Sequence, residues 1–242
     1  MGEPSDIEKK LSNKGEDLTV SQAVTRIDFI YLCICSLIVI GTSRLFDENA
    51  ESLGLHDDER EDMIQDTYGV FEVIGAVTAG GILTLFRSKV RPSLMMVFLI
   101  VIGGLGQLAM IWPDSFTIAD PMRVAVAAAS FAEGGAMATL ASFCHEEYGT
   151  ENFGIFYGTM LSFGFAGLYA VDEIFFPSIF EWYATENAAG VHYFKSYGEW
   201  NEFLFTCLAV SYGVCAILAI ISHVSVVNRE IKDSSKLAMV SF

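Results

Sequence analysis

Residues 92–113 read PSLMMVFLIVIGGLGQLAMIWP, an apolar run without a single charge. A bilayer's hydrocarbon core of roughly 30 Å needs about 20 residues at helical rise and tolerates few ionised groups. The run therefore predicts a membrane-spanning helix, and five more stretches of the same kind accompany it. Phe29–Ser43 has no charge, Tyr68–Phe86 carries only Glu72, and Val124–Cys144 carries only Glu133. Asn152–Val171 is again uncharged, and Phe203–Asn228 contains only His223 among acidic and basic side chains. The expected architecture is an all-α integral membrane protein with a six-helix domain over residues 22–228. Its spans cover about 24–45, 66–86, 92–112, 123–144, 153–178 and 203–227. Polar tails, residues 1–21 and 229–242, flank that domain.

Composition agrees once position is considered. The chain has 52% hydrophobic residues and a mean hydropathy of +0.44, yet its net charge is −16. The charges crowd into the first twenty residues, Phe46–Asp66, Arg87–Arg91, His145–Glu151, Glu181–Glu202 and the tail after Arg229. Inner-side loops retain Lys and Arg, so the basic residues give an orientation. With the N-terminus inside, the inner face holds Lys9, Lys10, Lys14, Arg26, Arg87, Lys89, Arg91, Arg229, Lys232 and Lys236. The outer face holds Arg44, Arg60, Arg123 and Lys195, so both termini are expected inside.

Met1–Ser21 is polar and lacks the apolar core of a secretory signal, so insertion is expected to use the first span. Cys33, Cys35, Cys144, Cys207 and Cys215 lie in or beside apolar runs and read as packing residues rather than disulfide partners or metal ligands. Asp47, Asn49 and Glu51 imitate the start of a calcium loop. Ser52 stands where that loop needs Gly and Asp58 where it needs a bidentate Glu, so no metal or other cofactor is expected.

Lipid gives helices no hydrophobic reason to associate, and small residues mark where they pack. Ala76 and Gly80 recur in the second span, Ser130 and Gly134 in the fourth, and Gly154, Gly158, Gly164 and Gly167 in the fifth. These predict helix-packing or docking faces. Intramembrane carboxylates are costly unless protonated, paired or wet. Glu133 and Glu72, with Asp172 and Glu173 nearer a span's end, are therefore candidates for a proton or solute site. The same four fit the plainer role of carboxyls bonded to a neighbouring helix or lying at the interface. Arg44, closing the first span, is the expected ion-pair partner of Glu72.

No zinc-protease helix, nucleophile elbow, phosphate-binding loop or basic aromatic surface occurs, so neither an enzyme nor nucleic-acid binding is expected. The order of elements resembles the C-terminal half of a major facilitator superfamily transporter, in its nodulin-like and monocarboxylate-transporter-like branch. Leu18–Ala23, Asp28–Tyr31 and Gly41-Thr42 are similar to that branch's seventh helix. Glu146-Glu147-Tyr148-Gly149, Asn152-Phe153-Gly154 and Tyr157-Gly158 are similar to the connection between its tenth and eleventh. The arginine and aspartate of the family's gating motif are missing after the second span, where Arg87-Ser88-Lys89 keeps only the basic turn.

The resemblance implies one wall of a twelve-helix pathway. Two functions follow. One is a non-transporting accessory subunit of a larger membrane complex, such as an organellar respiratory or ATP-synthase assembly. The other is a solute transporter, monocarboxylate-like and proton-coupled, that completes its fold by dimerising or pairing with another half. Expected partners are lipids and other membrane subunits, and the expected site is an organellar inner membrane, mitochondrial before plasma membrane.

Overall fold

The computed structural model describes residues 18–48, 58–111, 120–186, 192–194 and 199–240. Among the described residues, five helices are long and apolar enough to cross a membrane, over Asp62–Leu85, Pro92–Ile111, Pro121–Tyr148, Phe153–Ile179 and Phe203–Arg229. The chain is thus a multi-pass, helical membrane protein. The first expected span is broken up. It consists of α1 (Val20–Val24), α2 (Ile27–Ser43) and α3 (Leu45–Glu48), of which α2 is apolar but 17 residues long. Arg26 in an extended conformation separates α1 from α2.

The elements that follow are α4 (Asp58–Leu85), α5 (Pro92–Ile111), α6 (Pro121–Tyr148) and α7 (Phe153–Tyr169). A π-helical turn, Ala170–Phe175, leads into α8 (Phe176–Tyr183). The strands Ala184–Glu186 and His192–Phe194 pair antiparallel, and α9 (Glu199–Val240) closes the order. The helix continues through most of the expected C-terminal tail. The N-terminal tail to residue 17 and most of the calcium-like loop lie outside the described residues.

Local chemistry sets the boundaries. Thr19 and Gln22 close a reciprocal capping box on α1, with Gln22 N–H donating to Thr19 Oγ1 at 3.4 Å and Thr19 N–H to Gln22 Oε1 at 3.1 Å. Pro92 begins α5, and Asp120 with Pro121 begins α6, where a missing proline N–H costs no helical bond. Gly149 ends α6 at φ 82°, a conformation that side chains disfavour. The turn after it is anchored to the start of the described chain: Leu18 N–H donates to Tyr148 O at 3.2 Å, and Asn152 Nδ2 donates to Leu18 O at 3.0 Å.

Helix α6 packs between α4 and α5, α9 lies on α5, and α2 lies against α7 and α9. Glycines make the tightest crossings. A Cβ on Gly134 would fall on the Glu72 carbonyl oxygen, and one on Gly75 would fall on that of Phe131, so α4 and α6 meet backbone to backbone. Gly167 meets the Leu37 carbonyl in the same way, and Gly164 meets the Ile40 side chain, joining α7 to α2. The pairing expected of Ala76 and Gly80 is corrected. Gly80 faces open space, and the buried line on α4 runs through Tyr68, Gly75, Ala79 and Leu83, the neighbouring helical stripe. Gly154 and Gly158 also face open space.

Two apolar clusters fill the interior. One, at the Asp28 end of α2, contains Leu99, Leu140, Phe143, Tyr148 and Phe156. The other, at the Arg44 end, contains Phe46, Ile64, Met110, Val126, Phe176 and Leu204, with the Phe46 and Phe205 rings stacked at 5.8 Å. Starts and ends of successive long helices alternate between these clusters, as an up-and-down bundle requires.

Candidate functional site

Glu133 sits where the two apolar clusters meet. Helix α6 gives Ala125, Val126 and Ala129 to one cluster and Ala132, Ala136 and Leu140 to the other, with the acid between them. Its side chain has no exposed surface. Oε1 accepts from Arg44 Nε at 3.3 Å, while Oε2 accepts from Ser43 Oγ at 2.6 Å and from the Tyr68 hydroxyl. Three donors from α4 and the end of α2 thus engage one carboxyl. A buried ion pair is tolerable only when its remaining lone pairs are bonded in this way.

Arg44 reaches Glu133, which corrects the expected pairing with Glu72; Glu72 acts on the guanidinium as an additional nearby charge. Depth misled the sequence reading because Glu72 and Glu133 lie on facing helices at one level, and only the crossing decides which is reached. Arg44 remains 31% exposed, so half of the pair retains contact with its surroundings. The four candidate acids do not converge on one site. Asp172 is half-buried and Glu173 exposed, both on the π-helical turn.

The chemistry open to the cluster follows from its protons. Ser43 Oγ has one hydrogen but lies within reach of two acceptors, Glu133 Oε2 and the Ile40 carbonyl at 3.0 Å. With Ser43 donating to the acid, Oε2 is ionised. With Ser43 donating to Ile40, Oε2 can carry a proton and donate it to Ser43. Both states fit the same heavy-atom positions.

Beside the cluster, Thr42 Oγ1 and the Tyr212 hydroxyl are 3.1 Å apart, joining α2 to α9. The Tyr212 ring fills the space left by Gly103, and one turn further on α5 the Gln107 amide is buried without a hydrogen-bond partner among the described residues. Ser43, Tyr68, Thr42, Tyr212 and Gln107 were not singled out in the sequence. Lone polar residues in apolar runs look alike until the helices are crossed.

A second buried pair was also missed. Asp28, 2% exposed, meets Arg229 Nη2 at 2.8 Å and accepts from the Tyr148 hydroxyl at 3.3 Å. Arg26 lies over the Tyr148 ring at 5.9 Å and donates to Glu147 O at 3.4 Å. Helix α2 therefore carries an acid in its first turn and a base just past its last, the signs its dipole favours, and each is paired to another helix. The five cysteines are free thiols, four of them buried.

Comparison of the chain with protein-family models, with curated proteins and with solved structures found no match.

Proposed function

We propose that the chain is a half-length, transporter-like membrane protein that serves as a non-transporting accessory subunit of a larger membrane complex. In this reading α2 is a sixth span, both ends of the chain face the inner side, and the setting is an organellar inner membrane, with a mitochondrial assembly as the favoured host. The observation that carries it is the closed polar centre: Glu133 is wholly buried and its oxygens are engaged by donors of the same chain. A solute site needs access from a pathway, whereas a structural carboxyl needs partners. Close-packing glycines left open among exposed apolar side chains, as Gly154 and Gly158 are beside Ile155, support docking to another protein. Extracted in mild detergent, the native protein is expected in a species far larger than a dimer, and Gly158→Leu should release it from that species with its own fold intact. A discrete monomer or dimer from native membranes would refute the assignment.

The two proton arrangements at Ser43 favour a second reading, a monocarboxylate-like, proton-coupled transporter that completes a twelve-helix fold by dimerising or by pairing with another half. Proteoliposomes containing the chain and its partner half would then show solute-driven acidification. Glu133→Gln would reduce it at least about tenfold, as loss of an essential proton carrier does. Flux indifferent to Glu133 would remove this reading.

A further inference from the structure

At the Asp28 end of the bundle, a cavity of about 150 Å³ opens between the α4–α5 turn, the start of α5, the end of α6 and α9. Arg87, Lys89 and Arg91 line it, three of the 14 basic residues of a chain whose net charge is −16. Ser88 and Ser93 add hydroxyls. Glu146 and Glu147 also border it, with Glu146 bound to Arg87 at 3.3 Å, so three basic residues face two acidic ones and the lining keeps an excess of one positive charge.

The inner wall is built rather than merely solvated. Pro92 and Ser93 are buried, Arg91 is half-buried, and the 20-residue helix α5 directs the positive end of its dipole to the same place. Ser93 Oγ lies 2.8 Å from His223 Nδ1, and Arg91 acts electrostatically on that ring. When Nδ1 carries the proton and donates to Ser93, the serine hydroxyl hydrogen is left to donate into the cavity.

We propose that this cavity binds the phosphate group of a phosphate-bearing anion, with Lys89, Arg91 and Ser93 as its donors. Arginine and lysine beside hydroxyls and a helix start are the donor set that phosphate oxygens take. The volume is below the roughly 300–1,000 Å³ of sites for drug-sized ligands. It therefore suits a phosphate group with its hydration, and any remainder of the ligand must lie outside. Basic pockets where membrane helices end take lipid head groups, and a soluble phosphate would meet the same donors.

The test is binding by native mass spectrometry of the full chain, with inorganic phosphate in one arm and nanodiscs with or without phosphatidylglycerol in the other. The intact protein is expected to retain phosphate, phosphatidylglycerol or both. Arg91→Gln and Lys89→Gln should each weaken binding by about tenfold, the loss of one charge-assisted bond. Arg123→Gln, exposed at the opposite end, should leave it unchanged. Binding of the lipid alone names a head group as the source, and binding of phosphate alone names a soluble anion. No binding of either probe overturns the proposal, as does binding that both variants retain at full strength. If Arg91→Gln does not fold, the exposed Lys89→Gln decides.

Discussion

Gly134→Ala is expected to destabilise the protein by about 3 kcal/mol, the upper range for overpacking, although it adds a single methyl group. The new Cβ would meet the Glu72 carbonyl oxygen, and backbone cannot rotate away as a side chain can. Helices α4 and α6 must separate. That opens the reciprocal contact at Gly75 and draws Tyr68 away from Glu133, one residue from the substitution. The effect is thus larger than the helix propensity that alanine gains over glycine, about 1 kcal/mol in the opposite direction. Gly158→Ala is the control, because a Cβ there meets nothing within 4 Å and should stabilise slightly or not at all. Thermal unfolding in mild detergent, followed by labelling of the buried thiols Cys33, Cys35, Cys144 and Cys215, measures both. Equal melting of the two variants would mean that α4 and α6 do not meet as described.

Arg44→Met should be as damaging, at about 3 kcal/mol. That is the low end for removing one partner of a buried pair, chosen because Arg44 is 31% exposed and its loss is partly relieved by its surroundings. The penalty lies with Glu133, left as a buried acid without its cation. Adding Glu133→Gln should therefore recover much of the loss, since Ser43 and Tyr68 can still donate to the amide oxygen. In a double-mutant cycle the coupling should reach about 1–3 kcal/mol. Additive costs would show that the two side chains do not share an energy, and the polar centre would then need another cation.

Hydrophobic run length was enough to read helices α4 to α7 and α9 as apolar segments, because their burial in lipid is a matter of composition over twenty residues. It failed where a boundary depends on one residue. Arg26 splits the first span, and Ala170–Phe175 turns π-helical, its backbone bonds reaching one residue further than in an α-helix, without any sequence mark. Glu133 stood out as the lone acid of its span, whereas its partners did not. Ser43 and Tyr68 are ordinary in an apolar run, and only the close crossing allowed by Gly134 and Gly75 brings them together. Spacing found the glycines but not which of two adjacent stripes turns inward: Ala76 and Gly80 lie one residue off the stripe that Gly75 and Ala79 occupy.

The ion pair of Asp28 with Arg229 has a consequence for biogenesis. Arg229 lies about 200 residues downstream, so at 5–20 residues per second the ribosome supplies it roughly 10–40 s after Asp28. Throughout that interval the acid of α2 lacks Arg229, and the helix it begins is apolar but, at 17 residues, shorter than the five that are long enough to cross a bilayer. A nascent chain in this condition must be sheltered by the insertion machinery or keep its Asp28 end at the water surface. The arrival of α9 draws it inward, so that α2 is secured by a segment made about 200 residues later.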